Sequence, residues 1–201
     1  MSSPTHRESG QAAPLYITAV AGLLFLALIF FAFGEADVRR NGAQSAADAS
    51  ALAAAQESRG QLELELKANI TNAAYFTLVF NTPFAGSFNG CWRASRFAAQ
   101  NDAGDVDCRW LFDGRWGFRV AVKSNKGMSA NLVPGTEGKK AKAEAVAVVE
   151  SRCKFIPNPD TTGTSIGTVV CDGGLTWVVS PKDLARIPDM AELFRVRLAE
   201  D

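Results

Sequence analysis

Four cysteines are the residues of this chain whose type and spacing allow the most chemistry: disulfide formation, metal binding or redox catalysis. The chain has no Cys-x-x-Cys pair, and its one histidine, His6, lies in a polar amino-terminal stretch. Metal-binding and redox sites in small domains usually depend on one of these two features. We therefore predict that Cys91, Cys108, Cys153 and Cys171 form structural disulfides.

Four cysteines allow three pairings, and we favour the sequential one, Cys91 with Cys108 and Cys153 with Cys171. The two intervals are nearly equal, and each second cysteine adjoins a predicted β-hairpin. Both enclosed loops are polar, so a covalent closure worth roughly 3 kcal/mol in the chain-entropy model would stabilise them. The alternative is four unpaired, buried thiols in a cytosolic domain.

An enzymatic role finds little support among the remaining residues. Without a histidine beyond His6, the usual serine and cysteine hydrolases and the histidine-based zinc enzymes are excluded. Asp102, Asp105 and Asp107 could hold calcium, but their spacing does not match a calcium-binding loop, and a solvated loop is the simpler interpretation. We predict no catalytic residue, no metal and no cofactor.

The charge balance argues against nucleic acid as a partner. Lysine and arginine (21) equal aspartate and glutamate (21), so no net positive charge attracts a phosphate backbone. Arginines and aromatic residues interleave between positions 92 and 119, which offers a possible surface for a protein partner. Its arginines are Arg93, Arg96, Arg109, Arg115 and Arg119. The alternative is that the aromatic residues fill the core of a small sheet while the arginines face water, and we expect no small-molecule ligand.

Residues 14–33, PLYITAVAGLLFLALIFFAF, form an uncharged and strongly apolar run. At about 1.5 Å per residue, a helix of this length covers roughly 30 Å, the thickness of a bilayer's hydrocarbon core. We predict a transmembrane helix in membrane lipid over residues 13–34, preceded by a cytoplasmic tail at 1–12. The alternative is a cleaved secretory signal that ends near Gly34.

Two indicators of membrane orientation disagree. Arg7 precedes the span, whereas Arg39 and Arg40 follow it, and this count weakly opposes an amino terminus inside the cell. All four cysteines follow the span, and disulfides persist only outside the reducing cytosol. We give the cysteines more weight and predict a single-pass protein with its amino terminus inside and residues 69–201 outside.

Residues 43–55 contain eight alanines, which favours a helix that continues the span outward. We expect an alanine-rich juxtamembrane helix over residues 35–68, with a break or bend at Gly60. Small residues four positions apart share one helix face and let another helix backbone approach closely. This helix-packing face consists of Thr18, Gly22, Ala43, Ala47, Ala51 and Ala55. The alternative is that the alanines reflect helix propensity alone.

Residues 69–201 have the pattern of a small antiparallel, β-rich domain. Residues 74–81, AYFTLVFN, predict a strand, whereas residues 62–67 stay undecided between helix and strand. Residues 143–155 predict one further strand. The expected fold class is α+β, with a long amino-terminal helix followed by a disulfide-bonded β domain.

Two turns predict hairpins within this domain. Asp113-Gly114 lies between two apolar runs and predicts a two-residue type I′ turn in which Leu111 faces Trp116. Asp172-Gly173-Gly174 predicts a second hairpin between two β-branched runs. The period of the final segment, from Met190 onward, favours neither helix nor strand.

Residues 10–57 resemble the amino-terminal module of TadE/TadG-like proteins of the Flp (tight adherence) pilus-assembly system. The resemblance rests on Gly10-Gln11-Ala12 before the span, on RNGAQSAADA at residues 40–49 and on ALAAA at residues 51–55. It implies a non-catalytic, pilin-like architecture in the bacterial cytoplasmic membrane, with the globular part extracytoplasmic. It also implies that other pilus subunits contact the amino-terminal helix.

One position departs from the pattern of cleaved prepilins. These typically have a glycine before the cut and a glutamate five residues later, whereas the fifth residue after Gly10 is Leu15. The departure favours an uncleaved, TadG-like role as a minor pilin-like component of a Tad-type pilus assembly or secretion apparatus. The alternatives are an unrelated surface-anchored binding or adhesion domain, and a secreted protein or enzyme whose signal peptide is removed.

Overall fold

One helix dominates the molecule. The computed structural model describes residues 12–84, 86, 89–128, 135, 137–160, 163–182 and 187–200. Its first element, α1 (Ala12–Ala68), is an unbroken helix of 57 residues, about 85 Å long at 1.5 Å per residue. Residues 1–11 of the predicted tail lie outside the described residues.

Three shorter helices and seven strands follow α1 in the described part of the chain. The helices are α2 (Ala73–Asn81), α3 (Cys91–Gln100) and α4 (Met190–Leu193). The strands are β1 (Ala103–Trp110), β2 (Gly117–Ser124), β3 (Lys142–Ser151), β4 (Cys153–Pro157), β5 (Gly167–Cys171), β6 (Thr176–Val179) and β7 (Phe194–Ala199).

The strands form two antiparallel sheets. The larger has the strand order β1-β2-β3-β7, and the smaller has the order β4-β5-β6. α1 packs against β2 and β3 of the larger sheet, α3 packs against both α1 and β1, and α2 packs against β4. The expected α+β class, with a long apolar helix before a disulfide-bonded β domain, is confirmed.

The core lies where α1 meets the sheets. Alternate side chains of β2, Phe118, Val120 and Val122, are buried in one cluster with the side chains of α1. Leu62 and Leu66 of α1 are fully buried in the same cluster, and their spacing of four is the helical period that the sequence left undecided.

Gly60 does not interrupt α1, so the expected break at this position is wrong. The helix continues from Gly60 to Ala68. Ser58 and Leu62 on either side of the glycine are fully buried. Their packing outweighs the conformational cost of one helical glycine, which is about 1 kcal/mol.

The predicted strand at residues 74–81 is also wrong, because this segment forms α2. Asn72 caps the helix, and its side-chain oxygen accepts a hydrogen bond from the backbone N–H of Tyr75 at 3.1 Å. Phe76, Val79 and Phe80 are the buried residues of α2. Their spacing of three and four positions is helical, and burial of this face outweighs the β propensity of the individual side chains.

The first hairpin exists, but its turn is not the predicted two-residue type I′ turn. β1 pairs with β2 up to Trp110 and Phe118, so the connection is longer than Asp113-Gly114. Of these two turn residues, only Gly114 has a positive φ, whereas a type I′ turn needs both. The turn is instead organised by the Asp113 carboxylate, which accepts a hydrogen bond from the backbone N–H of Arg115 at 3.0 Å.

The run at residues 143–155 forms two strands instead of one. β3 lies in the larger sheet and β4 in the smaller, and Arg152 between them donates its backbone N–H to the carbonyl of Leu193 at 2.9 Å. The second hairpin is confirmed as β5 and β6, with Gly173 and Gly174 both at a φ of 91° in the turn. The final segment divides into α4 and the edge strand β7.

Candidate functional site

α1 consists of two parts with opposite surroundings. Every side chain from residue 13 to residue 31 is exposed, and Leu15, Phe30 and Phe31 are 73, 74 and 75% exposed. A continuous apolar surface of this kind is unfavourable in water and typical of a membrane interface. The helix is long and apolar enough in this part to cross a bilayer.

Thr18 and Gly22 lie on this exposed part of α1. The Thr18 hydroxyl lies 3.0 Å from the carbonyl oxygen of Pro14, to which it can donate a hydrogen bond, so the helix itself satisfies the hydroxyl. Apart from the adjoining backbone of the helix itself, no described atom lies within 4 Å of the position that a Cβ on Gly22 would occupy. The pair therefore forms a small, open patch on the helix surface.

The second part of α1 lies inside the head, the name used here for residues 69–200. Ala43 is 2% exposed, and Ala47, Ala51 and Ala55 are fully buried. Three of these alanines belong to the same cluster as the side chains of the larger sheet. The alanine row is a packing face, and within the described residues its neighbour is the chain's own head.

Two disulfides fasten the head. Cys91, the first residue of α3, is bonded to Cys108 of β1, and the two Cα atoms are 5.6 Å apart. Cys153 of β4 is bonded to Cys171 of β5, and these two residues are direct register partners. These are the two pairs predicted from the sequence. The first bond joins α3 to the larger sheet, and the second lies within the smaller sheet.

A segment that matches a known protein family includes residues from both parts of α1. Residues 10–57 match the family model described as "Putative Flp pilus-assembly TadE/G-like". This TadE/G-like segment has the limits that the sequence resemblance indicated. Neither a curated protein nor a solved structure matches the chain. The match supports involvement in a Flp pilus-assembly system and suggests a structural, non-enzymatic role.

The TadE/G-like segment contains all of the exposed apolar helix and the whole alanine row. Its last residue, Glu57, lies on α1 within the head and pairs with Arg93 of α3, with 3.0 Å between the carboxylate Oε2 and the guanidinium Nε. The segment therefore ends inside the folded head and not at its border.

The five arginines of the possible partner surface lie on different elements. Arg109 and Arg119 are register partners across β1 and β2, whereas Arg93 and Arg96 lie on α3, and Arg115 lies in the β1–β2 connection. Arg109, Arg115 and Arg119 pair with Asp107, Asp113 and Glu144, respectively. The structure thus brings two of the five together and gives four of them an acidic partner.

The aromatic residues that interleave with these arginines behave differently from one another. Trp116 and Phe118 are buried at 3% and 0% exposure, whereas Trp92 is 53% exposed. The guanidinium of Arg93 stacks over the Trp92 ring, with its Cζ 5.2 Å from the ring centroid. The alternative interpretation, with aromatic residues in the core and arginines in water, describes β2 well.

Two of the three acidic residues at the start of β1, Asp105 and Asp107, form ion pairs. Lys123 Nζ lies 2.8 Å from Asp105 Oδ2, and this hydrogen bond and charge hold the pKa of Asp105 below its ordinary value. The hydrogen bond from Arg109 likewise lowers the pKa of Asp107. Among the described residues, no group of three or more acidic, cysteine or histidine side chains could hold a metal ion.

A cavity of about 250 Å³ lies between the end of α2, the β1–β2 connection and β3. Its walls are mainly apolar and include Phe84, Trp116 and Phe194. The charged side chains that line it, Arg115 and Glu150, have ion-pair partners of their own. The two hydroxyls of its described lining, those of Thr82 and Ser151, donate to the backbone carbonyls of Leu78 and Cys153.

Sequence reasoning missed α3 and its contact with α1. Residues 92–100, WRASRFAAQ, belong to α3, which begins at Cys91. The buried residues of this helix are Ala94 and Ala98, four positions apart. That small-residue spacing was the signal that could have found it. The interleaved arginines and aromatic residues, which favour either a partner surface or a small sheet, obscure this spacing.

Proposed function

We propose that the chain is a membrane-anchored, TadG-like minor component of a Tad-type pilus-assembly or secretion apparatus. The observation that carries this proposal is the composition of residues 10–57. They contain both the exposed apolar part of α1 and the alanine row that packs into the head. A family module with these two parts anchors the chain in the membrane and holds a folded head beside it.

The proposed orientation has the amino terminus inside the cell and the head on the extracytoplasmic side of the bacterial cytoplasmic membrane. The two disulfides support this orientation, because such bonds persist in oxidising compartments. Arg39 and Arg40, which follow the span, weigh against it. We give the disulfides more weight because they are part of the packed head.

The proposed mode of action is helix packing within the membrane. Since the alanine row is already covered by the head, the small residues still open to another helix are those of the exposed part, Thr18 and Gly22 among them. Small residues at such spacing let two helix backbones approach closely in lipid, where van der Waals packing replaces the hydrophobic effect. Other pilus-assembly subunits are the proposed partners.

A leucine at position 22 tests this mode of action. Gly22→Leu adds bulk on the proposed contact face, and no atom of the head lies near that position. Ala27→Leu is the matched control, since residue 27 lies on the opposite side of the same exposed helix at 100° per residue. We expect the first variant to reduce photo-crosslinking to other pilus subunits by about threefold or more, and the control to retain it. Equal crosslinking in both variants would contradict helix packing through this face.

A further inference from the structure

β2 runs antiparallel to α1, towards the end of the head from which the apolar helix emerges. Near the start of β2, the indole N–H of Trp116 donates to the hydroxyl oxygen of Ser58 at 2.8 Å. Further along, the Gln44 side chain donates to the carbonyl of Glu144, which lies opposite Ala121 of β2. As β2 advances, its neighbours on α1 therefore have lower residue numbers and lie closer to the apolar part.

The end of β2 reaches the emerging helix. Ser124 and Lys126 line a small cavity of about 210 Å³ together with Val38 and Arg39 of α1. Val38 is only five residues from Phe33, the last residue of the apolar run, which corresponds to about 7.5 Å along the helix. The turn after β2 therefore lies at the end of the head that is nearest to the bilayer.

The β2–β3 hairpin continues past this point. The backbone N–H of Met128 donates to the carbonyl of Lys139, and that of Gly138 donates to the carbonyl of Met128, both at 3.1 Å. Met128 follows Lys126 by two residues on this arm, so these hydrogen bonds continue the hairpin at the end of the head from which the apolar helix emerges.

This end of the head carries an excess of positive charge. Lys126, Lys139 and Lys140 are exposed on the two arms of the hairpin, and we name these three residues the basic rim. On the adjoining helix and turns, the sequence has Arg39 and Arg40 against Glu35, Asp37, Asp102 and Glu137, so this end has five positive and four negative charges in all. Because the whole chain has no net charge, the excess is a local feature of the face nearest the bilayer.

We propose that the basic rim binds the anionic phospholipid headgroups of the same bilayer that holds residues 13–33. The proposal rests on the membrane anchoring proposed above. Each lysine near an anionic surface is attracted within a Debye length, about 8–10 Å, and α1 holds the rim inside that distance. Because the anchored helix α1 holds the basic rim close to the bilayer surface at all times, even a weak attraction is effective. The head therefore rests on the membrane, and Phe112, 94% exposed in the β1–β2 connection, lies at the opposite end.

Lysine footprinting of the full chain in vesicles tests this proposal without any substitution. The chain is reconstituted in phosphatidylcholine vesicles with and without phosphatidylglycerol, and an amine-reactive reagent is followed by mass spectrometry. We expect modification of the basic rim to be about fivefold slower in the anionic vesicles, with recovery at high salt. Lys67 and Lys154, at other places in the fold, are internal references that should react equally in both. Equal rates at the rim in both vesicle types would overturn the proposal.

Flotation of the same samples separates this result from a failure of anchoring. A chain that does not float with either vesicle type contradicts the membrane anchor itself, whereas a chain that floats but shows equal rim reactivity contradicts only the lipid contact.

A triple variant, Lys126→Gln, Lys139→Gln and Lys140→Gln, provides a second readout. In the parent chain we expect anionic vesicles to slow amide hydrogen exchange at residues 124–128. The triple variant should float like the parent chain and lose this slowing. The control variant Lys67→Gln, Lys154→Gln and Lys182→Gln should retain this slowing, and loss in both variants would contradict a specific rim.

Discussion

A Cβ atom on Gly90 would lie 2.0 Å from the carbonyl oxygen of Ala54, so the start of α3 packs directly on the backbone of α1. Gly90 is the N-cap residue of α3, and Ala54 is fully buried. This is the close approach that a small-residue helix face permits, and it occurs within one chain. It also brings Cys91 to the position from which it bonds to Cys108.

Gly90→Ala should therefore destabilise the head. The added methyl group has no space against the Ala54 carbonyl, so α3 must move away from α1 at a cost of about 1–3 kcal/mol. Urea denaturation of the full chain in detergent, followed by circular dichroism, measures this change. Gly60→Ala is the matched control on α1, since no atom lies within 4 Å of its Cβ position. It should stabilise the helix by about 0.5–1 kcal/mol, and shifts of the same sign in both variants would contradict the packing described.

Ser58→Ala should destabilise the chain because it removes a buried hydrogen-bond acceptor. The Ser58 hydroxyl oxygen accepts from the indole N–H of Trp116, and both residues are buried. An unsatisfied indole N–H in the core costs about 1–3 kcal/mol. Ser50 is the control, because it is equally buried but donates its hydroxyl only to the Ala46 carbonyl one turn earlier. Ser50→Ala should change the free energy of unfolding by less than about 0.5 kcal/mol, and equal losses would refute the role given to Ser58.

Features of the chain that depend on local pattern were predictable, and features that depend on packing were not. The apolar run and the alanine-rich helix each have one dominant sequence signal, and the short motifs at residues 10–12, 40–49 and 51–55 indicate the TadE/G-like segment. In α2, by contrast, aromatic and β-branched residues indicate a strand, and packing such as that of Phe76 against Phe155 and Trp177 favours the helix. The neighbour of the alanine row was equally unpredictable, because a small-residue spacing identifies a packing face of a helix but not the element that packs against it.

The outer face of the larger sheet should lose stability in acid through Glu150. This carboxylate pairs with Arg195 and Arg197 across β3 and β7, and the hydrogen bond from Arg197 lowers the pKa of Glu150. A lowered folded-state pKa adds stability above the unfolded value of about 4.3, and this contribution disappears as pH falls through the folded-state pKa. Both arginines are largely exposed, so the contribution is about 0.5–1 kcal/mol.

Glu150→Gln provides the measurement of that contribution. At pH 7 the variant should be less stable than the parent chain by this amount, and the difference should shrink and vanish as pH falls below the folded-state pKa of Glu150. High salt should shrink the difference at pH 7. A difference that does not shrink on acidification would mean that the ion pairs do not stabilise the sheet.

Removal of either disulfide should lower the free energy of unfolding by roughly 3 kcal/mol, because both bonds close loops of similar length. The two serine pairs, at Cys91 with Cys108 and at Cys153 with Cys171, can be compared in the same denaturation assay. Thiol labelling of native membranes provides the companion measurement. It should find no free cysteine, and four labelled thiols would contradict an extracytoplasmic head.

The intact mass of the chain that floats with native membranes tests the membrane anchor most directly. We predict that the protein resists alkaline extraction and that its mass includes the whole apolar run up to Phe33. Loss of only the first ten residues would leave the anchor in place and contradict the uncleaved, TadG-like assignment. A soluble chain that begins after Gly34 would contradict the anchor itself, and with it the proposed place of the head on the membrane surface.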